Sequence, residues 1–132
     1  MKIINLTQHV ATSEQVEEGV VDLPADYQAN LRALLTFDSL PDRREVVARA
    51  EAIGEIAEAF AVDSGAIDSG GEIRAMIGGA PFLMRALEDA LMDRGITPIY
   101  AFSRRESVEE RQPDGSVRKI NFFRHAGFVP AY

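Results

Sequence analysis

Four short apolar runs, at residues 3–6, 20–23, 73–77 and 96–102, alternate with segments whose apolar residues recur every three or four positions. Runs of that length bounded by turn formers read as buried strands, and the longer periodic stretches between them read as amphipathic helices. Strand–helix alternation of this kind specifies a largely parallel sheet flanked by helices, because a parallel pair needs a crossover connection long enough to hold a helix. The expected fold is therefore α/β, a three-layer Rossmann-like parallel sheet with a C-terminal β-hairpin. With 132 residues, the chain fits one such domain spanning residues 1–132.

Local signals place the elements. Thr12 reads as a helix N-cap, and Gln15 three residues later completes a capping box, with Gly19 closing that short helix. Tyr27, Leu31, Leu34, Leu35 and Phe37 predict a helix over 26–37. Ser39 and Asp42 bracket Pro41, which predicts the first turn of a second helix carrying the stripe Val46, Ala50, Ile53, Ala57 and Phe60. The turn formers of DSGAIDSGG (63–71) should end it. Pro81 suits the first turn of a helix with Phe82, Leu83, Leu87 and Leu91 on one side, and Gly95 should terminate it. Segments 106–111 and 117–123 flank Gln112-Pro113-Asp114-Gly115, a turn signal between strand-like runs that predicts the hairpin.

Composition narrows the function classes. Without cysteine there is no disulfide, thiolate zinc site or cysteine nucleophile. Two histidines cannot build a zinc site without carboxylates, and no cluster implies a divalent metal or another cofactor. Glu109 and Glu110 are adjacent, so on a strand they face opposite sides and cannot act as a carboxylate pair. The net charge is −7, from 21 acidic and 14 basic residues, which argues against binding DNA or RNA backbones. Residues 104–125 are the exception, with six basic and four acidic groups for a local +2 against −9 elsewhere, so a small anion is welcome there. No apolar run approaches a bilayer span, and the first 15 residues lack a long apolar signal core, so a cytoplasmic location without membrane contact is expected.

Right-handed crossovers bring the C-terminal ends of parallel strands to one rim, where open α/β sheets bind ligands. Three segments are expected there. Thr7-Gln8-His9 follows the first strand, and His9 is either an acid–base group or a residue packed beside the next helix. Gly78-Gly79-Ala80-Pro81 joins a strand to a helix, and either its backbone N–H groups approach a phosphate or the glycines simply make a tight turn. It is neither a Walker loop nor a dinucleotide fingerprint. Ser103-Arg104-Arg105-Glu106-Ser107 follows the fourth strand, and its arginines suit phosphate through forked hydrogen bonds unless they only form local ion pairs. Arg124 and His125 close the same rim from the hairpin side or from a second subunit, or else lie on plain surface. Phe122, Phe123 and Phe128 read as core or subunit interface.

The opening INLTQHVATSEQ and the later stretch MIGGAPFLMRALEDALMDRGITPIYAFSRRES resemble small CRISPR-associated Rossmann-fold proteins of the CARF type. The resemblance implies a homodimer that binds a cyclic oligoadenylate second messenger across its two-fold interface. It also implies metal-independent ring opening, in which a ribose 2′-hydroxyl attacks the adjacent phosphate, as in ring nucleases of type III CRISPR antiviral defence. Carried over by position, His9, Ser103 and Arg105 are then the catalytic residues. Thr7, Gln8, Gly78, Gly79, Ala80, Arg104, Glu106, Ser107 and His125 are the ligand-binding ones. Two other readings stay open: a non-catalytic sensor or sponge for such a nucleotide, and an unrelated Rossmann-like protein that binds a mononucleotide or sugar phosphate.

Overall fold

The computed structural model describes residues 2–66 and 70–132. The strands and helices are β1 (Ile3–Asn5), α1 (Ser13–Glu17), β2 (Val20–Asp22), α2 (Ala25–Leu35), α3 (Arg43–Asp63), β3 (Ile73–Met76), α4 (Pro81–Met92), β4 (Ile96–Arg111) and β5 (Val117–Pro130). They form one five-stranded sheet in the order β2-β1-β3-β4-β5. The first four strands are parallel, and β5 pairs antiparallel with β4 as a C-terminal hairpin. This is the expected three-layer Rossmann-like α/β fold. Among the described residues, no helix is long and apolar enough to cross a membrane.

The sheet order dictates which face each helix covers. The β1→β2 crossover runs in one direction, and the β2→β3 and β3→β4 crossovers run in the other. Right-handed connections therefore put α1 on one face and α2, α3 and α4 on the opposite face. Side-chain alternation agrees. Ile4, Leu6, Ala75, Ile77 and Ile96 meet Leu31, Leu35, Ile53, Phe60, Leu83 and Leu87 in the main core. Ile3, Val20, Met76 and Ile99 point the other way, into a smaller cluster with Ala11 and Phe128. Each fully buried Leu or Ile adds about 1.5–3 kcal/mol, so the α2–α4 side carries most of the stabilisation.

Local signals hold where a short-range partner exists. Thr12 Oγ1 accepts from Gln15 N while Gln15 Oε1 accepts from Thr12 N, the reciprocal capping box. Gly19 and Gly95 take positive φ and end α1 and α4. Two helix boundaries differ from expectation. Pro41 lies outside α3, because Asp42 is the N-cap and its carboxylate accepts from Glu45 N at 2.9 Å. The second helix stops at Leu35, leaving Phe37 beyond it. There Arg49 of α3 lies over the Phe37 ring and donates to the carbonyls of Ala33, Leu34 and Thr36, a cap supplied from another helix. In the segment 63–71, Ser64 caps α3, whereas Ile67, Asp68 and Ser69 lie outside the described residues.

The largest departure concerns β4. Its expected end at residue 102 is overrun, and the strand continues to Arg111. Pairing with β3 stops at Met76–Ile99, after which β4 runs on with β5 alone as a two-stranded arm. A β-bulge between Phe102 and Ser103 leaves Ala126 as the extra residue, which twists the arm away from the sheet. Residues 103–107 are thus strand, not loop. What holds them is the ladder to β5 rather than burial, since Phe102 and Phe123 are exposed.

Candidate functional site

An open crevice of about 450 Å³ sits at the C-terminal ends of β1 and β3. Between these neighbouring strands the chain's crossovers diverge to opposite faces, the switch point at which open α/β sheets form ligand crevices. Thr7, Gln8 and His9 form one wall, Ile77, Gly78 and Gly79 another, and Tyr100 and Ala101 of β4 a third, with Thr12 and Gln15 of α1 closing the side. Two of the three expected segments therefore converge.

The loop after β1 is built from a polar pair, the buried Asn5 and the half-buried Asp22. Asn5 and Asp22 face each other in the β1–β2 register. Asn5 Nδ2 donates to Asp22 Oδ1 and to the His9 carbonyl, both at 2.8 Å. Asn5 Oδ1 accepts from Thr7 N at 2.9 Å and from Thr7 Oγ1 at 2.7 Å. Asp22 Oδ1 also accepts from Ala11 N at 3.0 Å. These bonds fold residues 7–11 into a fixed turn and leave the His9 ring exposed, with no partner among the described residues.

The glycine wall is set by backbone conformation. Gly79 has φ +142, a region that side chains disfavour, so it turns the chain between β3 and α4 at little cost. Among the described residues, no hydrogen bond takes up the N–H groups of Gly78, Gly79 or Ala80. They stand free at the N-terminus of a 12-residue helix, where the helix dipole adds positive potential.

Tyr100 forms the third wall, and its hydroxyl donates to Glu88 of α4. Burial first, then that hydrogen bond and the Glu88 charge, hold the phenol protonated well above the usual tyrosine range. Because the folded-state pKa is raised, this contribution to stability is complete below about pH 10 and is lost as pH climbs through the folded value. An ultraviolet titration should show one tyrosine ionising after Tyr27 and Tyr132. In Tyr100→Phe that last step should disappear and stability should fall less steeply above pH 10; an unchanged titration would contradict the assignment.

The third expected segment does not reach the crevice. Ser103, Arg104, Arg105, Glu106 and Ser107 lie along the arm beyond Tyr100 and Ala101. Adjacent strand residues face opposite sides, so Arg104 and Arg105 cannot clamp one phosphate together. His125 also lies apart, its Nε2 at 2.9 Å from Glu18 Oε1 and its ring against Phe128. Ala80 follows the glycine wall but does not line the crevice. Asn5, Asp22, Gln15 and Tyr100 are the site residues that sequence reasoning passed over. Only Gln15 carried a local signal, and that was for capping.

A family model described as "Uncharacterized protein MJ1673 family" matches residues 1–129. The chain belongs to that family. No curated protein and no solved structure matches it. The MJ1673 family match spans β1 through most of β5, so it takes in both the crevice and the arm.

Proposed function

We propose that the crevice binds a phosphate of a cyclic oligoadenylate and that the protein opens the ring without a metal, acting in the cytoplasm as a homodimer. The observation that carries this reading is the meeting of the exposed His9 imidazole with the unused N–H groups of Gly78 and Gly79 across one crevice at the switch point. The resemblance of residues 4–15 to CARF-type proteins supplies the ligand class.

In the proposed reaction the ribose 2′-oxygen attacks the adjacent phosphorus, and His9 takes the 2′-hydroxyl proton. The bond from phosphorus to the 5′-oxygen breaks, and that oxygen leaves as a 5′-hydroxyl with a proton from solvent, to which His9 returns the one it took. The other product end is a 2′,3′-cyclic phosphate. The glycine N–H groups stabilise charge on the non-bridging oxygens, and Gln8 and Gln15 offer side-chain amides to the ring. At about 450 Å³ the crevice lies in the lower half of the range for small-molecule sites. A ring of three or more nucleotides therefore fills it with one part and extends beyond, which favours a second copy covering the rest.

One observation favours a second reading, in which the protein binds the ring without cleaving it. No Lys or Arg lines the crevice, so transition-state charge there is met by N–H groups and His9 alone. The deciding experiment is incubation with cyclic tri-, tetra- and hexa-adenylate in the presence of a chelator, followed by chromatography. Linear products with a cyclic-phosphate end are expected. Intact rings co-eluting with the protein would establish the sensor or sponge instead, and neither binding nor cleavage would overturn both.

A further inference from the structure

At the root of the arm, on a different wall from the crevice, a notch of about 240 Å³ is lined by Arg104, Glu106, Arg124, His125 and Ala126. Arg104 and Arg124 are directly opposite each other in the β4–β5 register. Two like charges at such a position have side chains that start about 5 Å apart and repel. Only Arg124 is neutralised, by Glu106 at 3.1 Å, and it also lies over the Phe122 ring. Among the described residues, Arg104 has no ion pair or hydrogen bond.

His125 anchors this end of the arm to α1's C-terminal side. His125 is tied to Glu18, and its side chain is 4% exposed. Its side chain, one residue on from Arg124 along β5, lies on the side of the ribbon away from the two arginines, against Glu18 and Phe128. Bulges recur beside functional sites because they re-aim side chains, and here the bulge residue Ala126 is part of the lining.

We propose that this notch is a second anion site, taking one phosphate group between the Arg104 and Arg124 guanidinium groups. The chemistry is specific in kind: planar guanidinium forks bind tetrahedral oxyanions by paired hydrogen bonds, and one phosphate between them removes the cross-strand repulsion. Glu106 competes with that anion for Arg124. The site stands independently of the crevice reading, since it shares no lining residue with it.

The test is titration of the full chain with inorganic phosphate, followed by NMR at the amides of 103–106 and 124–126 and at the arginine side-chain N–H groups. Saturable shifts confined to those positions are expected. Arg104→Gln should weaken the affinity about 10-fold or more, the scale of one charge-assisted hydrogen bond. Glu106→Gln should tighten it several-fold by releasing Arg124, a gain that a misfolded arm would not produce. Shifts confined to 7–9 and 78–80, an unchanged affinity in Arg104→Gln, or weaker binding in Glu106→Gln would each overturn the site. Repeating the series with cyclic tetra-adenylate separates two sources of the phosphate. A parallel loss in Arg104→Gln means that the notch holds a phosphate of the crevice ligand, and a loss for inorganic phosphate alone means that it serves a separate anion.

Discussion

Asn5→Ala should lower the free energy of unfolding by about 2–4 kcal/mol, a large share of the total for a domain of this size. The carboxamide is 4% exposed and makes four hydrogen bonds, two donated and two accepted. Alanine removes all four. It strands the Thr7 N–H, and it leaves the His9 carbonyl with only the 3.1 Å bond from Thr7 Oγ1 and the Asp22 carboxylate with only the Ala11 N–H of these partners. Buried groups left unpaired cost more than the bonds contributed when made, which sets the magnitude. Urea unfolding monitored by circular dichroism measures the effect, and a loss under 0.5 kcal/mol, about the noise of such a substitution on plain surface, would refute the role assigned to Asn5. Asn5→Asp is a sharper control. It keeps the acceptor oxygens but sets a second carboxylate against Asp22, so at neutral pH it should be at least as damaging as alanine and should recover in acid.

His9→Ala should reduce ring-opening turnover by roughly 100-fold or more while leaving affinity for the ring within a few-fold, the pattern of a proton-transfer group. The His9 side chain is exposed and has no hydrogen bond among the described residues, so its removal should not unfold the loop. That loop is held through the His9 backbone carbonyl. The two substitutions therefore separate scaffold from chemistry: Asn5→Ala should harm stability and binding together, and His9→Ala turnover alone. Single-turnover assays on the purified variants measure this, and full activity in His9→Ala would remove the imidazole from the mechanism.

The parts of this fold legible in the sequence are those with short-range causes. Thr12 and Gln15 announce the start of α1 because both halves of the capping box lie within one turn. The apolar runs at 3–6 and 73–77 announce central strands because both sides of those strands are buried. The end of α2 was not legible, because the group that caps its carbonyls is Arg49, brought there only when α3 packs. The arm was half legible. Its turn at 112–115 is a local matter, but residues 103–107 carry no apolar alternation, since both faces of a ribbon standing off the core meet water. At the site, Thr7-Gln8-His9 and Gly78-Gly79 stood out as polar or flexible residues at strand ends. Asn5 and Asp22 did not, because 17 residues separate them and only the β1–β2 register makes them a pair.

The arm has one more consequence. Past Ile99 no third strand flanks the β4–β5 ribbon among the described residues, so both of its long borders present unpaired backbone donors and acceptors. Such borders are templates on which another chain can lay down a strand, and proteins that leave them open guard them with charge. Here the guards are dense. Arg104, Arg105, Glu106, Glu109, Glu110, Arg111, Arg118, Lys119 and Arg124 all lie on the ribbon. Glu109 stands opposite Lys119 and Glu110 opposite Arg118, matched in sign within one molecule, and a border shifted out of that register meets the wrong sign. The same residues that give the arm its local positive charge thus also keep copies of the protein from zipping together through their backbones.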